Sequence, residues 1–406
     1  MASEPHLPIQ VKDQIHLTEK ESLIFQRLKG VLHHFNLDTQ LRVAGGWVRD
    51  KRFGTPEEDA YRRDLTINSL FYNINSDSVE DFTGRGITDL KSGKIVTPLP
   101  PKETFLDDPL RVLRAIRFGA RFCFVLDEGL KEAAASDEVR DAIKEKISRE
   151  RIGHEVDLMI GGNEPVKAVT YIRDLQLFWI VFNVPSNVEP SLPEECDRFC
   201  LAFMDTALRL IQSLESLNLN DEQRRLCLYS ALFLPLRSMV YRDNKKKKVP
   251  VVDFIFRNSL KLKSKDAETV SSDSLGLMIL LRLCLLLREI KDFWPVALLV
   301  STLLYPNGDL CESLAEDLKL EKNRALFKQV KDVILKLDLE NIWEAKPLVN
   351  GKDIMSILNL KAGPNVKEWQ QKVIEWQLAH PTGTADECQE WLREAGAKRA
   401  RMDDNV

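Results

Sequence analysis

The sequence predicts a mainly α-helical protein preceded by a small N-terminal α/β unit. Two observations carry that expectation. Short strand-like runs are confined to the region before Asp107, and from Asp107 onward apolar residues recur at helical spacing almost to the C-terminus. A chain of 406 residues is long enough for two or three compact units, each with its own core.

The elements follow in order. Thr18 to Phe35 places Leu23, Ile24, Leu28, Val31, Leu32 and Phe35 at helical spacing, which predicts an amphipathic helix. Thr18 followed by Glu21 predicts a capping box at its start. Leu41 to Ala44 reads as a strand stopped by Gly45-Gly46, with a helix to follow. Leu65 to Ile74 reads as a second strand, and turns are expected at Gly84, Gly86, Gly93 and Pro98 to Pro101. Helical breaks are expected near Gly161 to Pro165, Asn183 to Pro193 and Pro306 to Gly308.

Composition narrows the class. Hydrophobic residues make up 44% and charged residues 30%, as in an ordinary soluble protein. The net charge of −4 gives no global attraction to nucleic acid, so an RNA partner requires basic residues gathered locally. The seven cysteines form no CxxC pair, which argues against zinc and fits a reducing compartment. Leu275 to Tyr305 is apolar but carries Arg282, Arg288, Glu289, Lys291 and Asp292, so it predicts buried helices rather than a membrane span. Met1 to Gln10 lacks an apolar signal region, and Glu4 and Asp13 argue against a transit peptide. A soluble intracellular protein of cytoplasm, nucleus or both is expected, with a longer N-terminus as the route to organellar forms.

Three clusters carry chemistry. In Gly45-Gly46-Trp47-Val48-Arg49-Asp50, adjacent glycines let backbone N–H groups approach phosphates and Arg49 adds a charged donor, although Gly-Gly also serves ordinary turns. Asp59, Arg62, Arg63, Asp64 and Asn68 form either a surface ion-pair network or a polar site at a strand mouth. Asp107-Asp108-Pro109-Leu110-Arg111 opens a helix on which Arg111, Arg114 and Arg117 share a face. The two acids are expected at its N-cap and first turn. The face is either a solvated helix surface or a binding face; three aligned arginines repel unless an anion lies between them, and a nucleotide would serve. Lys245 to Lys248 reads as an exposed loop, either a solvated charge run or an RNA phosphate contact.

In this order the clusters resemble the class II tRNA nucleotidyltransferase and poly(A) polymerase family. GGxVRD is matched at Gly45 to Asp50, and DxxRRDxxxN at Asp59 to Asn68. Asp81-Phe82-Thr83-Gly84 follows, then DDxxRxxRxxRF at Asp107 to Phe118, and finally Ser148-Arg149-Glu150-Arg151 through Glu155. Weaker similarity continues through Pro347 to Ile354 and Gly363-Pro364.

The resemblance implies a nucleotidyltransferase head over 1–98, a helical neck over 99–165, a helical body over 166–305 and a tRNA-binding helical tail over 306–406. It implies template-independent addition of CCA to tRNA from CTP and ATP with Mg²⁺, with tRNA held at its acceptor end and elbow. Gly45, Gly46, Arg49 and Asp50 would meet the triphosphate, while Asp59, Arg62, Arg63, Asp64 and Asn68 would surround ribose and phosphates. Asp108 and Arg111 would read the base, with Arg114 and Arg117 completing the pocket and His154 structural. The base reading has a physical logic. Cytosine and adenine both offer an amino donor beside a ring-nitrogen acceptor, which suits a carboxylate and a guanidinium, whereas uracil and guanine reverse both contacts.

One departure stands out. The family's strand bearing two metal-binding carboxylates, DxD, should lie between GGxVRD and the RRD motif. Here Asp50 is followed by Lys51 to Glu58 and then by the RRD motif at once. The head is therefore expected to be incomplete, with no catalytic or metal-ligating carboxylates and with exposed sheet edge and apolar surface. Glu57 and Asp59 could replace the pair only if they shared one side of a strand. Poly(A) synthesis and a non-catalytic tRNA-binding form remain as alternatives.

Overall fold

The computed structural model describes residues 15, 17–44, 55–214, 218–243, 245–263, 266, 287–303, 316–336, 339–361, 363–380 and 383–403. Gly45, Gly46, Arg49 and Asp50 lie outside the described residues, as do Leu275 to Leu286 and Pro306 to Gly308. The chain divides into two compact units, Met1–Leu208 with Asn220–Ser272, and Arg209–Leu219 with Asp273–Val406.

The first unit opens on α1 (Glu19–His34), where the expected capping box is present and Glu21 reaches back to the Thr18 N–H at 2.8 Å. Its apolar stripe finds no core: Leu23 is 52% and Phe35 64% exposed. Among the described residues the sheet beside it in sequence has three strands, β1 (Arg42–Ala44), β2 (Leu70–Asn73) and β3 (Ser78–Asp81), paired antiparallel in the order β1-β2-β3. Leu23, Ile24 and Val31 of this amphipathic helix, with Phe35 at its C-cap, leave apolar surface in water.

Between β1 and β2 comes α2 (Pro56–Tyr61), capped by Thr55 and Glu58 and started by Pro56. The expected strand over Leu65 to Ile74 is shorter than predicted, because Thr66–Asn68 form a 3₁₀ turn. Local polar chemistry overrides the β-branched pattern there. The Asn68 amide donates to Asp64, and the Ser69 hydroxyl bonds the Ala60 and Leu65 carbonyls. Asp81 accepts from the N–H groups of Thr83 and Ile87 and so holds the start of α3 (Gly86–Ser92). Gly86 is pressed to the wall, since a Cβ there would sit 2.7 Å from the Thr66 carbonyl oxygen.

Helices then dominate, with the short strands β4 (Lys94–Ile95) and β5 (Val125–Leu126) paired parallel among them. α4 (Pro101–Asp107), α5 (Leu110–Arg121), α6 (Glu128–Ala134), α7 (Asp137–Lys146), α8 (Arg149–Ile160) and α9 (Pro165–Asp174) enclose a core that includes Val112, Leu113, Ile116, Ile152, Val156 and Ile160. Gly153 lets α8 lie flush on the backbone at Leu260. Arg149 clamps the same region by donating to the carbonyls of Ser259, Ile180 and Val181. The break after α8 falls where the sequence placed it. The break at Asn183 to Pro193 holds β6 (Val188–Glu189), which pairs with β7 (Val240–Arg242) and through it with β8 (Lys248–Pro250). That sheet was not predicted. Cys196 and Cys200 share one face of α11 (Cys196–Ser213; α10 is Phe178–Val181) as buried free thiols.

The second unit is helical where described. One cluster buries Leu287, Trp294, Ile334 and Leu339, and another Val349, Ile354, Trp369, Val373, Cys388 and Leu392. Among the described residues no helix is long and apolar enough to cross a membrane.

Candidate nucleotide site

The site is built by α2, the turn after it, α5 and α8, all within the first unit. On α2, Asp59 receives the Arg62 guanidinium at 2.6 Å and that of Arg63 at 2.7 Å. Burial pushes the Asp59 carboxyl up, but the hydrogen bonds from Arg63 and Arg62 and their charges outweigh it and hold it below its ordinary value. Arg63 also lies over the Phe71 ring at 4.8 Å and donates to the Asn68 carbonyl at 3.0 Å. Asp64 is nearly buried and fully used. One oxygen accepts from the Leu65 N–H and the Asn68 amide, the other from Arg114 at 2.7 Å.

The acids before α5 depart from expectation. Asp107 ends α4, Asp108 lies between the helices, and Pro109 is the N-cap. Proline at that point disfavours helix for the residue before it, so neither acid can enter α5. The Asp108 carboxylate still reaches the helix start, accepting from the Leu110 N–H at 3.2 Å, and pairs with Arg151 of α8 at 3.0 Å. Arg111 donates to the Arg62 carbonyl at 2.9 Å and the Thr104 carbonyl at 3.3 Å, and pairs with Asp107 at 3.2 Å.

The aligned arginines do have anions between them, supplied by the protein. Arg114 is shared by Asp64 at 2.7 Å and Glu155 at 3.8 Å, and Arg117 meets Glu155 at 2.6 Å while lying over Phe118 at 4.4 Å. These carboxylates come from the RRD turn and from α8, so the α5 face ties both elements together. A nucleotide is thus not required to relieve the repulsion. Glu155 and Arg151 received no role from the sequence, although their spacing in the Ser148 to Glu155 motif could have flagged them. His154 is exposed on α8.

Glu57 and Asp59 do not form a substitute metal pair. Both lie on α2, where residues two apart project to different sides, and Asp59 is already held by two arginines. Among the described residues no group of three His, Cys, Asp or Glu side chains is arranged to hold a metal ion.

Comparison with known proteins places the chain in a family. Residues 51–96 match the poly A polymerase head domain. The mitochondrial CCA tRNA nucleotidyltransferase of Saccharomyces cerevisiae is 35% identical over 380 residues, covering 82% of this chain and 68% of that protein. The tRNA nucleotidyltransferase cca2 of Schizosaccharomyces pombe is 31% identical over 361 residues, covering 84% of this chain and 71% of that protein. The fold is similar to that of the Thermotoga maritima CCA-adding enzyme solved with tRNA, with a TM-score of 0.54 at 17% identity over 93% of this chain and 96% of that one. The chain belongs to the CCA tRNA nucleotidyltransferase family.

Proposed function

We propose that this chain recognises CTP and ATP on the surface shared by the RRD turn and the start of α5, binds the acceptor end of tRNA, and is impaired in the nucleotidyl transfer typical of its family. The observation that carries the nucleotide reading is the Arg111–Arg62 contact at 2.9 Å, which joins the base-reading motif to the RRD turn. Asp108 stands beside it with its side chain one-third exposed, open to an incoming base. Asp59, Arg62, Arg63, Asp64 and Asn68 would then shape the ribose and phosphate side, and Arg114 and Arg117 would keep α5 in place beneath it. Gly45, Gly46, Arg49 and Asp50 would supply phosphate donors. The head, neck, body and tail divisions at 98, 165 and 305 are carried as part of this proposal.

Impairment has its own support. The sequence passes from Asp50 to the RRD motif without a DxD strand, and of the helical acids that follow, Glu58 closes the helix cap and Asp59 is paired with two arginines. Magnesium, which the family resemblance implies, finds no matching ligand set in those residues. A tRNA-binding chain that lacks transfer activity is therefore favoured over poly(A) synthesis.

The test has two arms. Labelled CTP and ATP are offered with tRNA lacking its 3′ end; robust incorporation would sink the impairment, and incorporation of ATP with neglect of CTP would indicate poly(A) synthesis. In binding, CTP and ATP should be held in preference to UTP and GTP. Asp108→Asn should weaken CTP by about tenfold or more, the worth of one charged hydrogen bond. Equal affinity for all four nucleotides would overturn the base reading.

A further inference from the structure

We infer that the β7–β8 hairpin is a phosphate-gripping finger for the backbone of tRNA; the inference rests on the tRNA reading above and adds a contact outside the nucleotide site. Lys245, Lys246 and Lys247 occupy its tip, Lys248 begins β8 and Arg242 ends β7, and all five are exposed.

Two features set this apart from an ordinary solvated charge run. The first is order. The Asp243 carboxylate accepts from the N–H groups of Lys245 at 2.9 Å and Lys247 at 2.8 Å. The Asp243 N–H and carbonyl close the turn on the Lys247 carbonyl and the Lys246 N–H. The base is fixed by Tyr241 edge-on to Phe254 at 5.3 Å and by Asn187, which donates to the Arg242 carbonyl at 2.9 Å. The hairpin therefore presents its lysines from a braced frame.

The second feature is repulsion. The register sets Arg242 directly opposite Lys248, and like charges in that relation destabilise a sheet. Asp243 is engaged by backbone, and Glu189 lies 3.9 Å from Arg242 at an exposed position. Among the described residues none of the four lysines has a carboxylate partner. A polyanion relieves this repulsion. Lysine is a point charge with little geometric demand, so it suits a sugar-phosphate backbone held without regard to sequence.

The experiment measures binding of the full chain to fluorescent tRNA lacking its 3′ end across about 50 to 200 mM salt. The variant carries Lys245→Gln, Lys246→Gln, Lys247→Gln and Lys248→Gln together. Each lost phosphate contact should lower the slope of log affinity against log salt by about 0.7–0.9, so a fall of about 3 is expected if all four engage. Four arginines in place of the lysines should restore the slope, while CTP binding stays at the parent value in both variants. In the unaltered protein, tRNA should shield these lysines from acylation by an amine-reactive ester, read by mass spectrometry. An unchanged slope with unshielded lysines, while tRNA still binds, would overturn the finger. Absence of any tRNA binding by the parent chain would instead overturn the tRNA reading. A tRNA-independent gain in binding to an acidic protein or anionic vesicle, with the slope unchanged, would assign the hairpin elsewhere and refute the inference.

Discussion

Glu155 offers the sharpest test of how the site is held. Its side chain is only 6% exposed and faces Arg117 at 2.6 Å and Arg114 at 3.8 Å. Glu155→Gln keeps the volume and removes the charge. Arg114 retains Asp64, but Arg117, itself 13% exposed, keeps no carboxylate within reach among the described residues. Breaking a buried pair by removing one partner costs about 3–5 kcal/mol, and the surviving amide oxygen and the Phe118 ring at 4.4 Å argue for the lower end, about 3 kcal/mol. In a unit of this size that corresponds to a fall of about 6–12 °C in melting temperature. Thermal and urea unfolding would measure it, in a cycle with Arg117→Met and the double variant. Because the charge left behind is the source of the loss, the double variant should be more stable than Glu155→Gln alone. Preference for CTP and ATP over UTP and GTP should be unchanged, since neither Asp108 nor Arg111 is touched. A loss below about 0.5 kcal/mol, or simple additivity of the two substitutions, would refute the view that this carboxylate anchors α5 to α8.

Two further outcomes follow from the packing of the first unit. Gly153→Ala should destabilise by about 3 kcal/mol, because its Cβ would fall 1.7 Å from the Leu260 carbonyl oxygen and only backbone can yield; Gly129→Ala, whose nearest contact is an ordinary 3.4 Å, should be close to neutral in the same melt. For Asp59 the folded carboxyl lies below its ordinary 3.8, so its share of stability is present above that pH and lost as pH falls through the lowered value. Asp59→Asn should flatten that acid limb by about 1 kcal/mol or less, as seen in urea midpoints taken below and above pH ~3.8, and an unchanged limb would show that the arginines do not hold it.

The sequence was most legible where signals are local. The capping box of Thr18 and Glu21, the strand before Gly45 and the break after Ile160 depend on a few neighbouring residues, and each lies where its residues put it. Legibility failed where distant groups decide. Thr66 to Ser69 carry strand-forming residues, yet the Asp64 and Ser69 side chains draw the backbone into a 3₁₀ turn, and the Thr66 N–H bonds the Val96 carbonyl, thirty residues away. Asp107 and Asp108 looked like a cap because acids belong there, but Pro109 keeps them out of the helix and gives each a separate arginine.

The arginine face shows the same limit in energetic form. A spacing of three tells which charges share a side of a helix, and repulsion then demands an anion. Sequence order alone cannot say whether that anion is a ligand or a carboxylate folded in from elsewhere. Here Asp64 and Glu155 meet the demand for Arg114 and Arg117, while Asp107 meets that of Arg111. Opposite Arg242 the same reasoning ends differently. No protein carboxylate among the described residues answers Lys245 to Lys248, so the unrelieved charge there points outward, to a partner rather than to the fold.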